Sequence, residues 1–575
     1  MSDYPRPQQR RAEWQSLNGA WEYSFNTSDR PDKVRWQGEI QVPYPPESKL
    51  SGVNDQSYHP VIWYQRNFSV PKGWRKQRII LHFGAVDYAA KVWVNGQLVA
   101  EHEGGHTPFS ADITNVLTTG QQTVVVRAED DPMDMSKPRG KQEWQEKPHG
   151  IWYPRTTGIW QTVWLEPVSS SHISKIRLTP KFADFAFQTR VEIAGETKGL
   201  SLELSFHQGK TVLAQDSWQL STNKIQRQIH LGVNGFDDLR KLMWSPENPA
   251  LIEVSLKLKK GDEVLDAVES YTALRSVEAR NGKFFLNNHP YFLRLALDQG
   301  YFDDSLLAAP NTEALKKDVE LAKAMGFNGV RKHQKIEDPR YLYWADKLGL
   351  IVWEEMPSAY HFTEDTVQRL SKEWLEVLER DVNHPCIVAW VCFNESWGVP
   401  DLEHSALQRH FVAGLYHLTK SLDASRLVIG NDGWEHVETD LLTIHDYHRS
   451  AAKLAERYGT PEASWVTTQE VLEHGRAILL EDSVVSDQPI ILSEFGGIRY
   501  NPHAEGWGYQ QAETPEALIK TYSAMIAAIS GAGLAGFCYT QFADTFQEQN
   551  GLLYSDRRPK VALEALANAT LGRGG

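Results

Sequence analysis

The sequence predicts a multidomain chain with a jelly-roll-like β-sandwich at 1–165, an immunoglobulin-like β-sandwich at 166–275 and a (β/α)₈ barrel, or TIM barrel, at 276–575. Three observations support this fold class. Short alternating strands separated by turn residues fill the first two units, and apolar runs alternate with helical periodicity in the third. A chain of 575 residues is also long enough for about three or four separate cores.

The first unit shows the pattern of an antiparallel sandwich. Asn95 and Gly96 separate two alternating runs, and this dipeptide strongly indicates a two-residue β-hairpin. The polar stretch 130–150 is too long for a simple connection, and such loops are usually functional or disordered. We expect this loop to reach the mouth of the barrel, where Arg139 or Trp144 would line the pocket. A disordered surface excursion is the alternative.

The second unit is predicted to be a spacer. Residues 202–214 have the pattern of a hairpin, and residues 252–258 alternate apolar and polar side chains. The segment shows no helical period, which favours an immunoglobulin-like sandwich. Because it carries no constellation of catalytic side chains, its expected role is to fix two units relative to each other.

The third unit alternates strands with amphipathic helices. Helices are predicted at 364–382 and after Thr514, which has the features of an N-cap with Pro515 in the first turn. About 300 residues of this alternation match the size of a (β/α)₈ barrel. The eight predicted strands are 291–297, 327–331, 350–355, 387–393, 426–430, 441–446, 490–494 and 535–540.

Two of these strands end in a glutamate, Glu395 within FNESWG and Glu494 within ILSEFGG. Continuous apolar runs are typical of parallel strands buried on both faces, and the carboxyl ends of barrel strands hold the chemistry of that fold. Two carboxylates there could flank one glycosidic bond as proton donor and nucleophile. Each could also be an ordinary strand-end carboxylate facing solvent. Because both lie in matching contexts, we favour the catalytic interpretation.

The composition limits the classes of partner. A formal charge of −14 and a pI near 5.8 argue against nucleic acid or a membrane, because both favour basic surfaces. Aromatic residues make up 11% of the chain, which suits stacking on sugar rings but equally suits the cores of β-sandwiches. The sequence leaves a homo-oligomer open.

Cysteine usage and the N-terminus indicate a compartment. Cys386, Cys392 and Cys538 are odd in number and show no CxxC spacing. Cys392 and Cys538 lie inside apolar strand-like runs, so we expect these two to be small buried hydrophobes. The N-terminus has no apolar signal segment, and the chain has no run of about 18 apolar residues. The predicted location is therefore the reducing cytoplasm.

Seven segments in order carry a family resemblance: LNGAW (17–21), VWVNGQLV (92–99), GIWYPRTTGIWQTVWLE (150–166), WSPENPAL (244–251), FNGVRKHQ (327–334), FNESWG (393–398) and ILSEFGG (491–497). Over essentially its whole length the chain resembles glycoside hydrolase family 2, which holds β-galactosidases, β-glucuronidases and β-mannosidases. The first two segments are similar to the sugar-binding domain of that family, and the last three are similar to strand ends of its barrel.

The resemblance implies a retaining mechanism that needs no cofactor. Glu395 would be the general acid and then the general base, and Glu494 would be the nucleophile. Asn394 would bind the 2-hydroxyl of the sugar; the alternative is a buried amide bonded to backbone. His333 resembles the pocket histidine of the family, although a lone histidine at a strand end is more often structural.

Other residues are weaker candidates for the site. Arg331 would hold Glu494 ionised, and a simple ion pair in the barrel interior explains it equally well. Tyr447, just after the sixth strand, would orient the nucleophile. Asp446 and Tyr539 are further pocket candidates.

The motifs that set the substrate in known family members are altered. The magnesium-binding element of large β-galactosidases falls on Ser358 and Tyr360, so we expect no metal. Their galactose-binding aspartate is replaced by Trp152. The Asn-x-Lys motif of β-glucuronidases is also missing, because Leu552 takes the place of lysine after Asn550.

Asp298 and Gln299, after the first strand, could bind sugar hydroxyls in place of those elements, or could simply cap a loop. The default prediction is an exo-acting, β-galactosidase-like enzyme. The alternatives are an α-L-arabinofuranosidase or β-galactofuranosidase, a β-glucuronidase and a β-mannosidase. A non-catalytic carbohydrate-binding protein is disfavoured because both glutamates and Asn394 are present. The absence of HExxH or comparable ligand spacing disfavours a metal-dependent hydrolase.

Overall fold

The structure, a computed structural model, confirms the fold class. Three large clusters of buried apolar side chains correspond to the two sandwiches and the barrel, so each unit has a core of its own. The structure describes residues 3–573 apart from 233–235, 482, 484, 486 and 504, with the backbone alone at 236–238.

The first unit is an antiparallel sandwich with a four-stranded and a six-stranded sheet. Asn95 and Gly96 have φ values of 50° and 79°, as the predicted hairpin requires. The four-stranded sheet contains Gln15–Ser16, Val163–Val168, Arg78–Phe83 and Phe109–Asp112. The six-stranded sheet contains Gly38–Val42, Gly19–Phe25, Val61–Ser69, Gln121–Glu129, Ala89–Val94 and Gln97–Glu103. A short pair joins Val86–Asp87 to Gly158–Ile159.

The second unit packs a three-stranded against a four-stranded antiparallel sheet. The strands are His172–Lys181, Ala186–Ala194 and Lys224–His230, and then Thr211–Gln219, Ser201–Gln208, Ile252–Lys260 and Glu263–Thr272. The expectation of a purely β segment was wrong, because Phe236–Leu242 forms a helix. Seven residues cover only about two helical turns, which is too short for a clear period in the sequence.

The barrel contains the eight predicted parallel strands, which are Leu293–Asp298, Gly329–Lys332, Ile351–Glu355, Ile387–Asn394, Leu427–Asp432, Leu442–Asp446, Ile490–Gly496 and Gly536–Thr540. Hydrogen bonds join them in the order 5-4-3-2-1-8-7-6, so the ladder is nearly closed and its two ends are the fifth and sixth strands. A short three-stranded sheet, Val277–Arg280, Lys283–Leu286 and His289–Pro290, precedes the first strand.

Helices follow seven of the eight strands: Thr312–Ala324, Pro339–Leu348, Glu364–Asp381, Ala406–Leu422, Ala451–Tyr458 with Pro461–Thr468, Pro515–Ile529 and Leu563–Thr570. Thr514 caps its helix as predicted, accepting a hydrogen bond from the Ala517 N–H. The expected alternation of strands and helices fails once, between the fifth and sixth strands. The fully described connection 433–441 has no helix, because it is shorter than the dozen or so residues that a helical crossover needs.

Contacts between the units fix the loop 130–150 over the carboxyl end of the barrel. The backbone N–H groups of Arg139 and Gly140 donate to the Ser358 carbonyl at 3.1 and 3.0 Å. A Cβ on Gly140 would lie 2.3 Å from the Gln334 carbonyl oxygen, so only glycine allows this approach. The first unit therefore forms part of the barrel mouth.

The three cysteines are buried and free, which confirms the burial predicted for Cys392 and Cys538. Among the described residues, no helix combines the length and the apolar character needed to cross a membrane.

Candidate active site

Glu395 and Glu494 lie at the carboxyl ends of the fourth and seventh barrel strands. Every residue of both strands is buried, and the two carboxylate side chains are only 18% and 7% exposed. One oxygen of each carboxylate lies within 4.8 Å of the other. The sequence placed both residues at one end of the barrel, and the structure brings them together.

The backbone at Glu395 is strained. Glu395 and Ser396 have φ values of 52° and 58°, which non-glycine residues rarely adopt. Such a conformation costs about 1–3 kcal/mol per residue and persists only where surrounding contacts determine it. Here the two N–H groups donate to the Asp432 carbonyl and the Asn431 side chain, both at 3.0 Å. The strand end is thus held in a fixed geometry.

Arg331, fully buried in the second strand, organises the floor of the site. Its Nε donates to Glu355 at 2.6 Å, its Nη1 to Glu494 Oε1 at 2.9 Å and its Nη2 to Asn394 Oδ1 at 2.5 Å. Burial lowers the pKa of Arg331, but the charges of Asp432, Glu355 and Glu494 raise it well above its usual value. Removing one partner of such a buried pair costs about 3–5 kcal/mol.

Tyr447 and Thr540 hold the other side of Glu494. The Tyr447 hydroxyl donates to Glu494 Oε2 at 2.5 Å and lies 3.0 Å from Thr540 Oγ1. Its ring stacks on Tyr509 with centroids 3.5 Å apart. With Arg331 on one oxygen and Tyr447 on the other, the carboxylate of Glu494 is fixed in orientation.

His445 is a site residue that the sequence analysis missed. Its Nδ1 lies 2.7 Å from Glu395 Oε1, and its Nε2 lies 2.7 Å from Asp432 Oδ1 and 3.5 Å from Glu494 Oε1. Burial lowers the pKa of His445, but these carboxylates together raise it to about 10. The sequence did contain a signal for His445, which lies two residues before the candidate Tyr447. Side chains two residues apart in an extended chain share a face.

The pKa of Glu395 also depends on these neighbours. Burial raises this pKa, but the hydrogen bond and charge of His445, with the charge of Lys141, lower it below its usual value. His333 Nδ1 lies 2.9 Å from Glu355 Oε1. Burial and the nearby cations of Arg331 and Lys141 hold the pKa of His333 well below its usual value, so its ring is neutral.

Three candidates from the sequence lie outside the catalytic cluster. Asp298 pairs with Lys332 at 2.9 Å and accepts the Gly300 N–H, so both carboxylate oxygens have protein partners. Asp446 lies in the cavity wall but accepts hydrogen bonds from Arg457 and Tyr458 at 2.8 Å.

Tyr539 belongs to the eighth strand and is fully buried, and its ring packs against Phe495 and Tyr522. The next residue, Thr540, contacts Tyr447 instead. Because successive side chains of a strand point to opposite faces, the predicted pocket residue was one position out of register.

The loop 130–150 meets the barrel mouth as expected, but the side chains of Arg139 and Trp144 do not line the cavity there. The Arg139 guanidinium donates to the Pro132 carbonyl within the loop. Trp144 packs against Trp152, which in turn contacts Trp397 next to the Glu395 turn. Neither side chain lines the cavity at Glu395, so the structure does not place Arg139 or Trp144 beside the glutamates.

Lys141, in the same loop, is a second residue that the sequence analysis missed. It is only 6% exposed, and its charge acts on the pKa of Glu395, His333 and Glu548. Its ammonium group makes no hydrogen bond or ion pair to any residue that the structure describes. A buried cation without such a partner at a barrel mouth is available to a substrate.

A cavity of about 520 Å³ opens beside Glu395 and His445, walled by Trp434, Asp446, Tyr447, His448, Arg449, Glu473, His474 and Tyr509. A larger cavity of about 670 Å³ lies at the opposite end of the barrel, near 382–384 and 422–423. None of the candidate catalytic residues lines this larger cavity.

The group Glu395, His445 and Glu494 is compact enough to suggest a metal site. Both ring nitrogens of His445, however, lie 2.7 Å from carboxylate oxygens, so neither nitrogen is free to bind a metal. Ser358 and Tyr360, which replace the magnesium ligands of large β-galactosidases, offer no carboxylate or imidazole.

We therefore expect activity without a metal. Dialysis against EDTA should leave kcat and KM unchanged, because the residues of the site do not form a metal-binding set. The measurement is the rate before and after dialysis, with and without added Mg²⁺. A several-fold loss that Mg²⁺ restores would contradict this expectation.

Family comparisons agree with this geometry. The barrel matches the model of the glycosyl hydrolases family 2 TIM barrel domain over residues 277–570, and the first unit matches the family 2 sugar binding domain over residues 14–135. The chain belongs to glycoside hydrolase family 2. The barrel match alone covers half of the chain, and both glutamates lie inside it.

Relatives of this family 2 chain include a beta-galactosidase and a beta-glucuronidase. A beta-galactosidase of Thermoanaerobacter pseudethanolicus is 31% identical over 353 residues, which cover 60% of this chain and 46% of that protein. A Sus scrofa beta-glucuronidase is 26% identical over 478 residues, covering 74% and 69%. The chain thus spans less than half of the length of that beta-galactosidase.

Solved structures show the same fold. A beta-glucuronidase from an uncultured Clostridium species superimposes with a TM-score of 0.77 at 19% identity, and the match covers 99% of both chains.

Proposed function

We propose that this family 2 chain is a retaining, exo-acting glycosidase that removes a terminal sugar by double displacement. The observation that supports this most is the separation of the two carboxylates, whose nearest oxygens lie within 4.8 Å. Retaining enzymes hold their carboxyl groups about 5–5.5 Å apart, whereas inverting enzymes need about 6.5–9.5 Å to admit a water. The site therefore fits direct attack of a carboxylate on the anomeric carbon.

In the first step Glu494 attacks the anomeric carbon while Glu395 gives a proton to the leaving oxygen. Arg331 and Tyr447 each bind one oxygen of Glu494, which fixes its orientation. In the second step Glu395, now a carboxylate, takes a proton from water, and the water oxygen replaces Glu494 on the sugar.

Asn394 has the geometry to bind the substrate. Arginine can only donate, so the atom 2.5 Å from Arg331 Nη2 must be the amide oxygen of Asn394. The amide nitrogen then points away from Arg331, and it makes no hydrogen bond to any residue that the structure describes. It is free to donate to a sugar hydroxyl such as the 2-hydroxyl.

The mouth of the barrel supports exo action. Loops from the first unit and the barrel interlock around it, with Trp152 Nε1 donating to the Tyr360 hydroxyl at 2.8 Å and Trp507 Nε1 donating to the Gly150 carbonyl at 2.9 Å. A walled pocket accepts one terminal sugar and limits the access of water to the glycosyl–enzyme intermediate.

A panel of nitrophenyl glycosides, pyranosides and furanosides, tests this function. NMR of the first product formed should show the same anomeric configuration as the substrate. An inverted first product, or no hydrolysis across the panel, would overturn the proposal.

Two glycone classes, neutral sugars and uronic acids, are candidates. A β-galactoside is the default from the sequence, with the furanosides and the β-mannoside as its alternatives. A β-linked uronic acid is the second candidate, and Lys141 favours it because its buried ammonium has a ring contact with Tyr153 but no hydrogen bond or ion pair among the described residues, which suits a carboxylate. Lys141 would then replace the lysine that is missing after Asn550.

The Lys141→Gln variant should separate these glycones. If the glycone is a uronic acid, kcat/KM for nitrophenyl β-glucuronide or β-galacturonide should fall about ten- to hundredfold, as expected for loss of a charge-assisted hydrogen bond. Rates on neutral glycosides should change far less. The control is Lys147→Gln, an exposed lysine of the same loop.

An equal loss on charged and neutral substrates would rule out carboxylate recognition by Lys141. A wild-type protein that cleaves only neutral glycosides would eliminate the uronide and leave the retaining mechanism untouched.

A further inference from the structure

His445 occupies the gap between the fifth and sixth strands, where no backbone ladder closes the barrel. Its ring reaches across this gap to Asp432, at the end of the fifth strand. Gly433 makes room for it, because a Cβ there would lie 2.7 Å from His445 Nδ1. The ring is held between Asp432 and Glu395 with 1% of its side chain exposed.

The charges around His445 require a second cation. Glu355, Asp432, Glu395 and Glu494 meet in this part of the barrel, and Arg331 is the cation that contacts three of them. Buried charges are stable only when they are paired and hydrogen-bonded. With Glu395 protonated as the acid, one guanidinium still faces three carboxylates, so a further proton within the cluster is favoured.

The distances place that proton on His445. A neutral imidazole donates from one nitrogen and offers a lone pair at the other. Arg331 Nη1 could donate to such a lone pair at Nε2, but it lies 3.3 Å away. Asp432 Oδ1 is nearer, at 2.7 Å, where a lone pair facing a carboxylate would be repelled. Nε2 therefore donates to Asp432. Burial lowers the pKa of the ring, but Glu494, Asp432 and Glu395 raise it to about 10, so Nδ1 carries a hydrogen as well.

From this geometry, and resting on the proposed function, we infer that His445 is a permanent imidazolium that balances negative charge as it moves from Glu494 to Glu395 in each turnover. When Glu494 forms the glycosyl ester it loses its charge, and Glu395 gains one by giving up its proton. The ring contacts Glu395 at 2.7 Å and lies 3.5 Å from Glu494. It can stabilise either carboxylate without moving and without transferring a proton itself.

Other charged groups near the ring do not replace it. Arg331 faces it from the second strand, and His436 and His474 lie close enough for mutual charge effects. Burial lowers the pKa of both of these histidines, so they are neutral. Lys141 acts on Glu395 from the first unit, and His445 is the cation that bonds Glu395 directly.

The test compares the pH dependence of kcat/KM in wild-type protein, His445→Asn and His445→Gln. Asparagine can keep a donor near Glu395 but carries no charge. Glycosylation needs protonated Glu395, so activity falls as pH rises through the pKa of that residue. Losing the imidazolium raises this pKa, and we expect the alkaline limb to move up by about one pH unit or more.

The substrate should have a poor leaving group, because only then does protonation by Glu395 limit the rate. The control is His417→Asn, which also removes a histidine near a carboxylate, Glu438, but on the exposed surface. A uniform loss of rate without a shift of the limb in either His445 variant would overturn the inference. The proposed function would still stand, because it requires only the two glutamates.

Wild-type protein gives an independent readout if neither variant folds. Imidazole nitrogen NMR at pH 8 should show a doubly protonated ring whose signal changes in Glu395→Gln. Spectra without such a ring would overturn the inference whether or not the enzyme has been assigned a substrate.

Discussion

We expect Glu494→Ala to lose turnover on every glycoside, with kcat lower by about four orders of magnitude or more. Without this carboxylate no glycosyl–enzyme intermediate can form. Water that enters the space left by Glu494 has no carboxylate to take its proton, so direct attack is not an efficient alternative route. Steady-state kinetics with an activated aryl glycoside measure the loss.

The variant also removes a partner of buried Arg331, so folding must be checked by thermal unfolding. Glu494→Gln keeps the volume of the side chain and serves as a second variant. Glu403→Ala is the matched control, since this glutamate follows the fourth strand but its side chain is 67% exposed. Near-normal turnover in a folded Glu494→Ala protein, without added nucleophile, would refute the assignment.

The second large effect is expected from Glu395→Ala, and its size should depend on the leaving group. Alkyl and sugar leaving groups need protonation, and their kcat/KM should fall by about two to four orders of magnitude. Dinitrophenyl glycosides need no proton, so their glycosylation step should remain fast. Deglycosylation should become slow, because no base activates the water.

Added azide provides the decisive observation. A small anionic nucleophile needs no general base, so it should restore turnover of the activated substrate and give a glycosyl azide of retained configuration. Product analysis by NMR with and without azide measures this. An equal loss for good and poor leaving groups, with no effect of azide, would show that Glu395 is not the acid/base.

Much of the fold followed from periodicity. Most of the barrel strands were predicted because continuous apolar runs, such as Ile387–Asn394, are typical of strands buried on both faces. Pro515 and Thr514 identified a helix start from local chemistry alone. The short helix Phe236–Leu242 and the missing helix at 433–441 were not predicted, because both depend on lengths too short to show a period.

The site was predicted where it depends on strand ends. Glu395 and Glu494 follow their strands directly, and parallel strands bring their carboxyl ends to one face of a barrel. Tyr447 was identified in the same way and does contact Glu494. Tyr539 was chosen where Thr540 has that position, because a register error of one residue moves a side chain to the other face.

The sequence by itself determined the three units, the eight barrel strands and the two glutamates, because these follow from local periodicity and from residues adjacent to strands. Only the tertiary structure decided that His445 joins Asp432 to Glu395 and that the charge of Lys141 acts on Glu395. Hydrogen bonds between strands far apart in the chain, and the docking of one unit on another, depend on distances that no local pattern encodes.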